Sequence, residues 1–435
     1  MVPDIIEHDG PVISVSVKPD VLALTWRARA AKGRVWVFDP TDQIAASPGL
    51  ASSVRRVRWS PLLGVDCYAA AARAAADLCK SAKTSGQQMA GRDFWDAMGR
   101  MVVGPVLFAA AVTGTAITEA AQWVLDPAAE AEVEDILVRA LDQPGARPWD
   151  RAALTDWRGF KGSEERNKSS VRLTAKPILE AWGRAEIAAS VDVRAKDPDR
   201  PVLDVEQLLD GGSDSLFVVA PAADQEAFRP VFETLLNALL RRIEAKAQQG
   251  MGRPLDPPLL LSLDEAGNIA AIQDLGRVVS KAAAEGVIVE TVWQDLAQMV
   301  ALYGPALATV VQSNHWCQMF LPGINDQSTL RAVSAMVGQD ARWSEQRSWS
   351  RSSGRSGSVA ERLEDVAPPD YIRATPRGQA IVVSGEHPAM RVALPAWWED
   401  PGLRKRIAPD AAALFDGLYG APKKTRKTRR GRGRP

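Results

Sequence analysis

The chain has 435 residues, 46% of them hydrophobic and 24% charged, a balance that suits a soluble globular protein of two or three domains with a sizeable core. Cys67, Cys79 and Cys317, like His8, His315 and His387, are too few and too dispersed for a disulfide framework or a His/Cys metal cluster, so a reducing cytoplasm is the default compartment. Basic and acidic residues balance at 53 each, yet eight of the twelve residues in "KKTRKTRRGRGR" (423–434) are basic, which leaves 45 basic against 53 acidic residues in the remainder.

Residues 1–65 read as α/β. The opening "VPDIIEHDG" lacks the basic and apolar regions of a signal peptide. The runs "PVISVSV" (11–17) and "RVWVF" (34–38) are rich in β-formers, with the helix-like "DVLALTWRARAA" between them. Over 66–210 the strands give way to Ala-rich helical patterns such as "YAAAARAAADLCKSA" and "AEAEVEDILVRALDQ", broken at "QPGARP" and "DPDRP". Within this block "MVVGPVLFAAAVTGTAIT" (101–118) has the length of a membrane span. Its Pro, Gly and Thr content and the flanking Arg100 and Glu119 favour a buried helix instead.

Strands resume in 211–400 with "SLFVVAP" (215–221), then a long amphipathic helix, "PLLLSLDE", "GVIVETVWQ" (286–294), "WCQMFLP" (316–322) and "QAIVVSG" (379–385). Alternation of strand and helix predicts a largely parallel sheet interrupted by an all-α insertion. "SEQRSWSRSSGRSGS" (344–358) has the Ser/Gly content of a flexible surface loop. Residues 401–435 form a basic tail whose composition predicts disorder. Lys423, Lys424, Arg426, Lys427, Arg429, Arg430, Arg432 and Arg434 would attract a polyanion, either nucleic acid or anionic lipid, or would serve solubility alone.

The chemistry concentrates in "LLLSLDEAGN" (259–268). An apolar run ending in Asp264 and Glu265 reads as a buried parallel strand delivering two carboxylates to the edge where α/β sheets bind ligands. The pair either caps the following helix or serves a nucleotide, Asp264 holding Mg²⁺ and Glu265 polarising water. The next strand ends in Gln294, a polar group suited to contact a γ-phosphate.

With these residues in place the chain resembles the type IV secretion coupling proteins, the VirD4/TraG/TraD family of conjugative DNA-transfer ATPases, over about residues 2–400. "GPVISVSVKPDVLALT" resembles the strand and lysine-aspartate segment just past the family's P-loop. "GRVWVFDPTDQIA" resembles its second strand with an Asp-Pro turn, "FWDAMGRMVVGPVLFAAA" and "SSVRLTAKPILEAW" its all-α domain, and "GQAIVVSGEHPAMRVALPAWWED" its closing strands. The densest match, "LLLSLDEAGNIAAIQDLGRVVSKAAAEGVIVETVWQDLAQMVALYG", places Asp264 and Glu265 on the Walker B pair and Gln294 on the strand-end glutamine.

The resemblance implies a RecA-like, P-loop NTPase-type sheet with an inserted all-α domain. It implies ATP and Mg²⁺ as cofactors, with Asp264 on the metal, Glu265 and Gln294 in catalysis, and Lys18 and Asp39 near the nucleotide. Implied partners are DNA, relaxase and relaxosome proteins, and secretion-channel proteins. The resemblance further implies a hexameric motor, of one or more chain types, at the inner face of the cell membrane.

Two departures stand out. No G-x-x-x-x-G-K-[ST] occurs, and "AKTSG" (82–86) lacks the glycines of a phosphate nest. Where the family often has an arginine before the glutamine strand, this chain has Ala283, Ala284 and Glu285. ATP hydrolysis by this chain alone is therefore not expected.

Three readings stand: a subunit of an ATP-driven DNA-transfer motor that recruits relaxase–DNA, a non-catalytic substrate receptor or ring component, and an unrelated metal-using α/β enzyme. The resemblance covers too much chain for the third. It further implies that the strand feeding the P-loop lies beside the Asp-Glu strand. A vacancy is then expected there, filled by upstream residues or by a separate chain that supplies the P-loop.

Overall fold

The computed structural model describes all residues except 47, 82–96, 195, 211, 221–224, 251, 268–271, 273–274, 351–353 and 420–435. The basic cluster 423–434 and "AKTSG" thus lie outside the described residues.

Six strands, β1 (Val12–Ser16), β2 (Val35–Phe38), β3 (Arg55–Arg56), β4 (Ser215–Val219), β5 (Leu259–Leu263) and β6 (Val287–Thr291), form one sheet in the order β3-β2-β4-β1-β5-β6. Every pairing in it is parallel. All residues of β1, β4 and β5 are buried, as a parallel sheet covered on both faces requires. Their side chains alternate. Ile13, Val15, Leu216, Val218, Leu259 and Leu261 enter one core, whereas Val12, Phe217, Val219 and Leu260 enter a second with Ile5, Leu22 and Ile44 from the amino-terminal segments. A single-residue slip in register would exchange the two sets, so burial of both faces pins the pairing.

Between β3 and β4 the chain is helical. The stretch read as a buried helix begins with a π-turn at Gly99–Val103 and continues as Gly104–Thr113, almost wholly buried, until Gly114 ends it in a left-handed conformation (φ 69°). Among the described residues, no helix is long and apolar enough to cross a membrane. Helices Tyr68–Lys80 and Glu165–Trp182 pack with the long helix Gln225–Gln249, Gly104–Thr113 packs against Tyr68–Lys80, and their apolar faces join the sheet in one continuous core.

Three expectations change. First, "WCQMFLP" and "QAIVVSG" do not join the parallel sheet. β7 (Cys317–Phe320), β10 (Gln379–Ser384) and β11 (Met390–Ala393) form a separate antiparallel sheet in the order β11-β10-β7. Second, the Ser-rich segment expected to be a loop is a hairpin of β8 (Gln339–Ser350) and β9 (Gly354–Asp365), paired from Gln339↔Asp365 to Ser350↔Gly354. Its ladder runs through backbone N–H and C=O groups, which side-chain composition does not report. Third, residues 401–419 are not a disordered tail. Helices Pro401–Arg406 and Pro409–Tyr419 are held by Ile407, Ala412 and Phe415, which pack with Trp397, Trp398 and residues of helix Asp20–Ala30.

Candidate functional site

Asp264 and Glu265 follow β5 directly, and the turn they form is stitched to both neighbouring strands. Asp264 donates its backbone N–H to Val15 O on β1 at 2.9 Å, and Ala266 donates to Val292 O beyond β6 at 3.0 Å. Between these anchors Glu265 adopts φ 51°. A left-handed glutamate is uncommon, and such conformations persist where surrounding bonds hold them, often at functional sites.

The Asp264 side chain is half-buried, and its Oδ2 accepts the Ser16 hydroxyl at 3.0 Å. Ser16 ends β1, so the parallel pairing of β1 and β5 creates this contact. Burial pushes the Asp264 carboxyl above its ordinary range, and the like charges of Asp20 and Glu265 push the same way. The Ser16 hydroxyl and the Glu265 N–H oppose them. A cation would relieve the accumulated negative charge.

Gln294 is exposed at the end of the β6 segment, and its N–H donates to the Gln298 side-chain oxygen at 3.2 Å. Gln298 lies in the first turn of helix Leu296–Asn314, which Asp295 caps by accepting the Gln298 N–H at 2.7 Å. Its side chain passes so close to Gly267 that a Cβ there would lie 2.5 Å from Gln298 Cδ. Behind Gln294 a relay fixes the strand end: Trp293 Nε1–H donates to Thr291 Oγ1 at 3.0 Å, and Thr291 Oγ1 is 3.0 Å from His315 Nε2.

The structure therefore brings Asp264, Glu265 and Gln294 to the adjoining ends of β5 and β6. Lys18 lies on the neighbouring strand end, exposed, two residues past Ser16, whose Oγ accepts its N–H at 3.3 Å. Asp39 sits elsewhere. It follows β2, which β4 and β1 separate from β5, a lateral distance of roughly 14 Å at about 4.8 Å per strand. Its buried carboxylate accepts the N–H groups of Gln43 and Ile44, both at 2.9 Å, and so caps a short helical turn. Ser16 and Gln298 are the site residues the sequence reading missed. A serine in an apolar strand beside the acidic one, and a glutamine four residues past Gln294, were the available signals.

Mg²⁺ fits this oxygen-rich corner. Asp264 would hold it with Ser16 nearby. Among the described residues no three His, Cys, Asp or Glu side chains gather to enclose a metal; Mg²⁺ commonly binds through one or two carboxylates with waters and phosphates. ATP fits only in part, since the described residues present no glycine-rich turn for its phosphates and the sequence contains no Gly-Lys pair.

A model of the family described as "Type IV secretory system Conjugative DNA transfer" matches residues 1–415. "Conjugal transfer protein TraG" of Escherichia coli is 25% identical over 282 residues, which cover 58% of this chain and 42% of that protein. The chain thus spans about two-fifths of TraG. The unbound coupling protein TrwBdeltaN70 superposes with a TM-score of 0.63 at 16% identity, covering 90% of this chain and 79% of that one. TrwB in complex with the ATP analogue ADPNP gives 0.63 at 17%, covering 90% and 80%. The fold is accordingly the RecA-like α/β NTPase fold with an all-α domain, and the chain belongs to the type IV secretion coupling protein family of conjugative DNA transfer.

Proposed function

We propose that this chain is a coupling subunit of a conjugative DNA-transfer machine and carries the metal and water side of its nucleotide site. One observation bears most of the weight: Asp264, left-handed Glu265 and Gln294 meet where β5 and β6 end, in a chain matched to the family over residues 1–415. Bound Mg²⁺ would supply charge neutralisation at the phosphates. The residues of this chain do the rest. Asp264, oriented by Ser16, offers an oxygen ligand; Glu265 orients and deprotonates a water; Gln294, fixed through Gln298, senses the γ-phosphate.

In this role the chain works in a ring, a homo- or hetero-hexamer, at the inner face of the cell membrane. It meets relaxase-bound DNA on one side and secretion-channel proteins on the other. The cluster Lys423–Arg434 contributes non-specific DNA contact.

The test is conjugative transfer in a strain lacking this gene. Wild-type chain should restore transfer, and Asp264→Asn and Glu265→Gln should each lower it by about 10²-fold or more. Full transfer with either variant would reject the nucleotide role. A second reading, a substrate receptor without hydrolysis, is favoured by the lack of a phosphate cradle among the described residues. Purified alone, the chain should show little ATPase activity, and turnover near 1 s⁻¹ that Glu265→Gln abolishes would exclude that reading.

A further inference from the structure

Gln294 precedes a helix too short to hold itself. Helix Leu296–Asn314 breaks at Gly304, whose φ of 75° and ψ of 163° are not helical, so residues 296–303 make only about two turns. Helices of that length are marginal in isolation and sit where tertiary contacts hold them. The far end is held from the sheet side. Tyr303 is buried, its ring meets Trp293 edge-on at 6.0 Å, and its hydroxyl donates to Ile272 O at 3.0 Å.

The near end, two residues after Gln294, is held from elsewhere. The first N–H groups of a helix lack partners within it. Asp295 accepts the Gln298 N–H, but the Leu296 N–H crosses to Thr329 Oγ1 at 3.1 Å. Thr329 lies in the first turn of helix Gln327–Val337 and is only 2% exposed. Its hydroxyl has one proton, and that proton is committed to Asp326: Oγ1 donates to Asp326 Oδ2 at 2.7 Å, and the same oxygen accepts the Thr329 N–H at 2.7 Å. The hydroxyls of Ser328 and Thr329 hold the Asp326 carboxyl down at about 2, so it is ionised at neutral pH and the Thr329 proton stays turned toward it. A lone pair on Oγ1 is thereby left for Leu296.

The anchor is itself fixed. Leu330 and Val333 pack with Ile372 and Ile381 in a core separate from that of the parallel sheet. The other end of the helix is tied to the hairpin, where Ser334 Oγ donates to Asp365 Oδ2 at 3.3 Å and Gln339 Nε2 donates to Asp365 Oδ1 at 2.9 Å. The bond from Leu296 to Thr329 therefore joins the parallel sheet, with its Asp264 corner, to the antiparallel unit and its hairpin.

We propose that Thr329 is a positioning residue for Gln294. Its hydroxyl, oriented by Asp326, fixes the start of the short helix behind the glutamine, so the antiparallel unit sets where Gln294 meets the γ-phosphate. The proposal rests on the nucleotide reading above, and its test separates the two.

Thr329→Val removes the hydroxyl and keeps the shape of the side chain. Amide exchange at Leu296 and Gln294 should quicken by about tenfold or more, beyond any change at Leu216 and Val218 in the middle of the sheet. Thr329→Ser, which keeps the hydroxyl, should restore slow exchange. Asp326→Asn weakens the acceptor that orients the hydroxyl, and serves if Thr329→Val does not fold. In the conjugation assay Thr329→Val should lower transfer by about tenfold or more, and Thr329→Ser should rescue it. Added to Gln294→Ala, Thr329→Val should lower transfer no further, because a positioning residue acts only through the residue it positions.

Unchanged exchange at Leu296, or equal quickening at Leu216 and Val218, would overturn the proposal and leave the nucleotide reading standing. So would wild-type transfer by Thr329→Val where Asp264→Asn fails, or a double variant that loses about tenfold beyond Gln294→Ala. Full transfer with Asp264→Asn would reject the nucleotide reading and, with it, this role for Thr329, whatever the exchange shows.

Discussion

Replacing Arg29 with methionine should cost the fold about 3–5 kcal/mol. The side chain is fully buried, yet no carboxylate is among its hydrogen-bond acceptors. Its Nε donates to Ser215 Oγ at 2.7 Å, Nη2 to Gly10 O at 2.7 Å and Ser213 O at 2.8 Å, and Nη1 to His8 O and, more weakly, to Ile5 O at 3.4 Å. One guanidinium thus gathers the amino-terminal helix, the approach to β1 and the start of β4. Burial lowers its pKa to about 10, so it stays charged at neutral pH.

Four good bonds from a charged donor are worth about 1.5–3 kcal/mol each. Against them stands the cost of burying the charge, about 3 kcal/mol for a guanidinium lowered to about 10. Acceptors stripped of their donor weigh on the same side as the lost bonds, so a net loss remains. Arg29→Lys keeps the charge but not the five-donor fork, and should fall between wild type and Arg29→Met. Urea unfolding measures all three. If Arg29→Met stays within about 1 kcal/mol of wild type, the carbonyls find water when the guanidinium leaves, and the reasoning fails.

Glu233, buried on helix Gln225–Gln249 and 2.6 Å from Arg229, is pushed up from 4.5 to about 7 by burial, which its partner only partly offsets. The folded chain then holds a proton that the unfolded chain releases. Its contribution is full below about pH 4.5 and is lost as the pH rises to about 7, by about 3 kcal/mol. Glu233→Gln should flatten thermal stability across that window and raise it above pH 7; a variant curve falling like the wild type would refute this. Gly267→Ala should displace the Gln298 side chain, accelerate amide exchange at Gln294 and change stability by less than about 1 kcal/mol, whereas an unchanged Gln294 amide would show that Gln298 does not hold it. Deleting residues 422–435 should weaken DNA binding and remove up to about seven units from the log–log salt slope; an unaltered slope would place DNA contact elsewhere.

The acidic pair was legible because "LLLSL" is unbroken and the carboxylates end it abruptly, and Gln294 because its strand follows at the spacing of a parallel crossover. Ser16 was not. In "ISVSV" the two serines look alike, and only the pairing of β1 with β5 separates them: Ser14 Oγ is buried without a hydrogen-bond partner, whereas Ser16 Oγ reaches Asp264. The hairpin 339–365 escaped because a backbone ladder tolerates serine and arginine that a hydrophobic pattern would not. The helices after residue 400 carried a readable signal in "DAAALFDGLY", hidden by the basic run that follows. The vacancy expected beside the Asp-Glu strand does not exist, because β5 pairs with β1 on one side and β6 on the other; strand order is a long-range property that local pattern does not encode.

The core that runs from the sheet through helices Tyr68–Lys80, Gly104–Thr113 and Gln225–Gln249 has a mechanical meaning. Scission at residues 66 and 210 would not release a free-standing module; it would tear one hydrophobic interior in two and leave both halves sticky. Heating should accordingly melt sheet and helical layer in a single step. Among the described residues one shared core joins them. A load taken up by the helical layer is borne at once by the strand that presents Asp264.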